Sequence, residues 1–324
     1  MFNMKSIGII TAVIAMLFSP FSAWLIYRGQ APSGEYENKD DQEKADNICI
    51  ELYVTSTGEK VKLDFEEYIC GVLLAEVPQY FEDEAIKAVC VAARTYCYRR
   101  INSDEKYTKH FSADVCDDYT HCLGYISLDE AKVKWGEENA VKYYEKMKKA
   151  VNETKGEILY YQENVADTVF HASSCGYTES AENIWGYNVP YLLSVETPEK
   201  VSISHAEYTA DEFKIILESE GISCLFNETA ENWIGEINKD KNGRVETVEI
   251  CSRIITGRRM REIFGLKSTC FDLVYTDQKF KFEVKGSGHG VGLSQYGCQE
   301  YAVKGKDHKY ILSHYYPGTT IGTY

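Results

Sequence analysis

The sequence predicts an α+β fold: mixed helices and antiparallel strands, with a β-rich inserted subdomain at about residues 200–285. Strand-like and helix-like segments alternate without the regular βαβ rhythm of a doubly wound sheet. No segment recurs at a fixed period, which removes solenoids and propellers. Apolar residues make up 44% of the 324, enough for a buried core and too many for a disordered chain.

Near the N-terminus, residues 7–27 form an apolar run flanked by Lys5 and Arg28. About 20 such residues cross a bilayer as a helix. A small-x-small cleavage site is lacking at the right place, so residues 1–28 read as an uncleaved membrane anchor. Pro20 keeps a cleaved signal peptide as the competing reading. Residues 29–47 are small, polar and acidic, and read as a solvated linker.

The folded region is expected over residues 48–324. It opens with a strand at 48–55, a turn at Gly58-Glu59 and a short strand at 60–63. Asp64 is placed to cap a helix over 65–77, Glu67 three residues on completes a capping-box pattern, and Pro78 stops the helix. An alanine-rich helix follows at 83–101. A charged amphipathic helix is expected at 129–151, ended by Gly156, and then strands at 158–161 and 166–171. Within 200–285, ADEFKIILES reads as a helix, and RVETVEICS, CFDLVYTD and KFKFEV read as strands.

Lysine and arginine number 35 against 50 aspartates and glutamates, a formal net charge of −15. That balance excludes nucleic acid as a non-specific partner, because binding there needs a basic footprint. Eleven cysteines cannot all pair within one chain, and most lie among apolar residues as small hydrophobes. His110, Cys116 and Cys122 differ. They stand in the polar segment KHFSADVCDDYTHCLGY, where soft donors at this spacing can fold around one zinc ion. His121, Asp114 and Asp117 are rival ligands there, and a Cys116–Cys122 disulfide is the alternative.

Glu76 is the only ionised side chain between Gly71 and Phe81. Partial desolvation raises the pKa of such a carboxyl and keeps a proton available near neutrality, as a general acid needs. Lys87 and Arg94 are seven residues apart and share one face of the second helix. Glycines at 286, 288, 290 and 292 allow a polymer to approach the backbone closely, with His289, Ser294, Gln295 and Tyr296 placed to hydrogen-bond it. The pattern lacks the lysine and the strand-to-helix setting of a nucleotide loop.

Three blocks stand in order: GVLLAEVPQYF with EAIKAVCVAARTY, then HASSCGYTESAENIWG, then GSGHGVGLSQYG with YYPGT. Together they resemble the SpoIID/LytB family of peptidoglycan hydrolases, from about Leu52 to the C-terminus. One departure is Val89-Cys90, where the family usually has glutamine and alanine. The resemblance implies a membrane-anchored lytic transglycosylase that cuts peptide-stripped glycan strands between MurNAc and GlcNAc, leaving 1,6-anhydro-MurNAc ends during septal wall remodelling in sporulation. It implies Glu76 as the catalytic acid and base. Lys87, Arg94, His171, Ser173, Tyr177, Ser294, Gln295 and Tyr296 are then substrate-binding residues around a glycan-binding groove. A zinc on His110, Cys116 and Cys122 is implied in an organising role. The implied partners are a cell-wall amidase or endopeptidase and a multi-span membrane scaffold of the engulfment complex, with the catalytic region outside the cytoplasm. The alternative from the same family is a non-catalytic glycan-binding activator of a cell-wall amidase.

Overall fold

The structure is a computed structural model that describes residues 48–103, 110–222, 226 and 229–324. The expected anchor and acidic linker, residues 1–47, lie outside the described residues. Among the described residues no helix is long and apolar enough to cross a membrane.

The fold is α+β, with short sheets around a helical centre. Strand β1 (Cys49–Val54) pairs antiparallel with β2 (Glu59–Asp64). Helix α1 (Phe65–Glu76) follows directly, because the Asp64 side chain accepts the Glu67 backbone N–H as an N-cap. The reciprocal half of the expected capping box is absent: the Glu67 carboxylate accepts the Tyr144 hydroxyl instead, at 2.6 Å. Val77 takes extended geometry ahead of Pro78, which ends α1 at Glu76.

Helix α2 (Asp83–Ile101) is buried from Ala85 to Cys97 apart from half-buried Lys87. A helix apolar on nearly all sides belongs in the middle of a core, and small alanines let its neighbours come close. Strand β3 (Val115–Cys116) then joins β1 in parallel. The amphipathic stretch expected as one helix is two, α3 (Leu128–Trp135) and α4 (Glu137–Glu153), broken where Gly136 adopts φ +81°. That backbone conformation favours glycine and cannot continue a right-handed helix. Strand β4 (Glu157–Tyr161) matches the expected strand and pairs with β5 (Asn164–Val165). The strand expected at 166–171 shrinks to β6 (Phe170–His171), whose neighbours carry no ladder.

After the short α5 (Ala181–Trp185) come β7 (Ile203–Thr209), α6 (Ala210–Ser219), β8 (Ile234–Lys239), β9 (Val245–Ile250), β10 (Arg253–Thr256), α7 (Gly257–Ile263), β11 (Phe271–Thr276) and β12 (Lys279–Lys285). They form two antiparallel sheets, ordered β10-β9-β8 and β11-β12-β7. The chain closes with β13 (Leu293–Ser294), α8 (Gln295–Val303), α9 (His308–Tyr315) and β14 (Thr320–Thr323); β14 pairs with β4 and β13 lies parallel to β6.

Two hydrophobic cores result. The larger gathers α1, α2, α4, α8 and α9 with β1 and β4. The smaller is built within residues 206–284 around Phe213, which stacks on Phe280 at 4.0 Å between ring centres. Truncating an aromatic side chain buried this fully costs about 3–5 kcal/mol.

Candidate active site

Glu76 is the last residue of α1, half-buried, at one wall of a cleft of about 640 Å³. The loop between β3 and α3 forms another part of the lining through Asp117, Tyr119 and Gly124. Glu76 Oε1 accepts the Gly124 backbone N–H at 2.7 Å, and Gln295 Nε2 stands 3.5 Å from Oε2. Burial pushes the Glu76 carboxyl up, and the hydrogen bonds from Gly124 and Gln295 offset this only in part. The carboxyl is therefore held closer to neutrality than a solvated glutamate.

The loop approaches this closely because Gly71 has no side chain. A Cβ at Gly71 would lie 2.3 Å from the Tyr125 ring, which stacks on Tyr68 with centroids 5.4 Å apart. Ile126 N–H donates to the Gly71 carbonyl at 3.3 Å. On its other side the loop is tied to β1: Asp114 accepts the Glu51 N–H and Asp117 accepts the Thr55 N–H, each at 2.9 Å.

The expected metal ligands surround this loop: Cys122 lies on it with His121, Cys116 ends β3, and His110 precedes β3. Donor atoms of His110, His121 and Cys122 all lie within 4.8 Å of one another. His121 Nδ1 is 3.5 Å from Cys116 Sγ and 3.4 Å from Cys122 Sγ. The rings of His110 and His121 meet edge-on at 5.3 Å. Positive φ at Phe111 and Ser112 turns the chain sharply between His110 and β3. Both cysteines are free thiols, so no disulfide closes this loop. His121 thus stands with His110 and Cys122, and Cys116 approaches the group through His121, whereas Asp114 and Asp117 accept backbone N–H groups of Glu51 and Thr55.

The expected groove residues divide. Gln295 and Tyr296, at the start of α8, come to the Glu76 side of the molecule; the Tyr80 hydroxyl donates to the Tyr296 hydroxyl at 3.2 Å, and both rings are exposed. Ser294 is buried. Its hydroxyl caps α8 by accepting the Gly297 N–H and donates to Glu199 Oε2 at 2.8 Å. Glu199 also accepts the Ser174 N–H, and burial pushes its carboxyl up to about 7. Glu199 carried no sequence signature, yet it fixes the helix start that aims Gln295 at Glu76.

His171 and Ser173 are buried as well. His171 Nδ1–H donates to the Val291 carbonyl at 3.2 Å, and Ser173 Oγ is 3.1 Å from Ser202 Oγ. His289 satisfies backbone: its Nε2–H donates to the Phe170 carbonyl and its Nδ1 accepts the Val291 N–H. Tyr177 is 44% exposed, with its carbonyl accepting the Ser174 hydroxyl.

Arg94 requires a correction. It is wholly buried, its guanidinium forked onto Glu66 at 2.8–3.1 Å and donating also to Thr154 and to the carbonyls of Val151 and Glu157. A cation with its donors spent inside the core cannot line a groove. Lys87 is likewise committed, to Glu84 and Glu153 at 2.7 Å each. Burial pushes the Glu84 carboxyl up, but hydrogen bonds from Lys87 and His308 outweigh it and hold it down to about 2.

Fold and site together describe an α+β protein with a partly buried carboxyl at its cleft wall and a thiol–imidazole cluster beside the loop that touches it. The sequence profile of SpoIID, stage II sporulation protein, matches residues 53–161. The chain is 34% identical over 288 residues to stage II sporulation protein D of Bacillus subtilis (strain 168), covering 86% of this chain and 80% of that one. The counterpart in Bacillus amyloliquefaciens is 34% identical over 285 residues, with 86% and 80% covered. An amidase enhancer of Bacillus subtilis is 25% identical over 306 residues, covering 78% of this chain and 40% of that protein. The chain belongs to the SpoIID/LytB family.

Proposed function

We propose that this protein is a lytic transglycosylase that cuts peptide-free peptidoglycan strands during the wall remodelling of sporulation, with Glu76 as its single acid and base. The observation that carries this reading is the half-buried Glu76 carboxyl at the cleft wall, with Oε1 held by Gly124 and Oε2 left with only the long Gln295 contact. Protonated Glu76 gives its proton to the glycosidic oxygen as the bond from the muramyl anomeric carbon breaks. The resulting carboxylate takes the proton from the same sugar's C6 hydroxyl. That oxygen attacks the anomeric carbon, closes the 1,6-anhydro ring and leaves Glu76 protonated again. No water is consumed, and an attacking group on the same sugar has the advantage of proximity. A hydrolase of the usual kind would need a second carboxylate for water or covalent attack.

The donor types suit zinc: the imidazoles of His110 and His121 with the Cys122 thiol, and the Cys116 thiol 3.5 Å from His121. His110, Cys116 and Cys122 would hold the ion, with His121 as the fourth ligand. With these residues as ligands, zinc would order the loop rather than activate a water. Gly124, two residues beyond Cys122, is then held in register on Glu76.

In this reading residues 1–28 anchor the chain in the membrane, residues 29–47 act as tether, and the folded region works on the outer side with an amidase that removes the peptides first. Likeness to an amidase enhancer supports a second reading, glycan binding that stimulates an amidase without cutting. Product analysis separates the two: incubation of peptide-free strands with the protein yields new anhydro-terminated sugars in the first and none in the second.

A further inference from the structure

With Arg94 in the core and Lys87 between two carboxylates, the cleft beside Glu76 needs another cation if it is to recognise an acidic sugar. Among the described residues, Lys134 is the one cation that lines it. It stands in the last turn of α3, exposed, and makes no ion pair among the described residues. Its Nζ lies 5.5 Å from the ring centre of Trp135, which lines the same cleft and is braced edge-on by Tyr143 at 5.9 Å.

The two other carboxylates of the cleft are already engaged. Asp117 accepts the Thr55 N–H, and Glu130 accepts the N–H and hydroxyl of Ser127 in the capping box of α3. Neither forms an ion pair with Lys134. An indole face suits the C–H face of a sugar ring, and an ammonium over the indole that makes no ion pair suits a carboxylate. The Gly136 break ends α3 at this point, so Lys134 and Trp135 stand at a corner rather than within a longer helix.

We propose that Lys134, with Trp135, forms a subsite that selects muramyl residues whose lactyl carboxylate is free. A stem peptide converts that carboxylate into a neutral amide, which gives the ammonium nothing to pair with; removal of the peptide exposes the charge. The inference rests on the glycan-cutting reading above, and it makes the preference for stripped strands a property of this cleft.

The test measures binding without cleavage. The full-length chain carrying Glu76→Gln is titrated by calorimetry with peptide-free muramyl-containing oligomers, and separately with N-acetylglucosamine oligomers of equal length, which lack carboxylates. Adding Lys134→Ala is expected to weaken binding of the muramyl oligomers by about three- to tenfold at low salt. Affinity for the uncharged oligomers stays unchanged, Lys134→Arg restores most of the loss, and added salt narrows the difference. Equal weakening for both ligands, no weakening for either, or no binding of muramyl oligomers at all would overturn the proposal. Because no bond is cut in this assay, failure here is distinct from failure of the wild type to release anhydro sugars, which would count against the transglycosylase reading itself.

Discussion

The Gly124 backbone N–H donates to Glu76 Oε1 at 2.7 Å, joining residues 48 positions apart in the chain. One backbone donor thereby sets which carboxylate oxygen is fixed and which is left for chemistry. A Cβ at Gly124 would lie 3.0 Å from Oε1 and 3.4 Å from the Ala75 Cβ, so Gly124→Ala crowds the carboxyl without straining the backbone. Misplacing a reacting group by fractions of an ångström to one ångström lowers turnover by about 10- to 100-fold. Steady-state kinetics of Gly124→Ala are expected to show such a fall in kcat with little change in KM. Gly71→Ala, which drives a methyl into the Tyr125 ring, is expected to lower kcat similarly and to reduce thermal stability, since the loop must leave α1.

The pH dependence follows from the direction of the Glu76 shift. The acid acts in its protonated form, so kcat/KM falls as pH rises through a pKa that burial has raised. Gln295 favours the ionised form, so Gln295→Ala raises that pKa further and moves the alkaline limb to higher pH. A limb that moves down, or stays, contradicts this assignment. The same shift has a sign for stability. A carboxyl whose folded pKa lies above its unfolded value stabilises the fold below the unfolded pKa and loses that contribution as pH rises through the folded one. Glu76→Gln should therefore raise Tm at neutral pH and leave it nearly unchanged well below the unfolded pKa.

Metal removal tests the organising role. Chelation is expected to lower activity, to restore it on adding zinc back, and to leave the residual product as anhydro sugar throughout. Cys122→Ser should reproduce the chelated state, with faster amide exchange at Gly124 than in the wild type. Reducing-end products made only with metal present would point to water activated at the ion instead.

Arg94 is a test of core against groove. Arg94 is wholly buried and donates to four residues of the core, so Arg94→Ala, which strands those acceptors and the partly buried Glu66, should unfold at markedly lower denaturant concentration. Arg94→Lys recovers only part, because an ammonium cannot reproduce the fork on Glu66. Glycan affinity per folded molecule is expected to stay the same.

Local signals in the sequence were legible where one residue decides an element. Asp64 starts α1 and Pro78 stops it, and the alanine run of α2 lies at the centre of the core. The break at Gly136 was not, because the residues on both sides are good helix formers and a single glycine is tolerated in many helices. Arg94 reads as a surface cation until Glu66, 28 positions away, is seen to meet it. His121 was visible as a rival ligand, but spacing alone does not say which side chains turn inward. Gly124 and Glu199 were beyond reach for a different reason. A backbone N–H has no side-chain signature, and a buried carboxylate held by a backbone N–H and a hydroxyl resembles any surface glutamate in a polar stretch.

Mass spectrometry of sugars released from peptide-free strands, with wild type and Glu76→Gln side by side, tests the central claim most directly. Wild type is expected to release sugars lighter by one water than the hydrolytic product, and Glu76→Gln to release essentially none. Release of the same anhydro sugars by Glu76→Gln, or of full-mass reducing sugars by the wild type, would contradict the account.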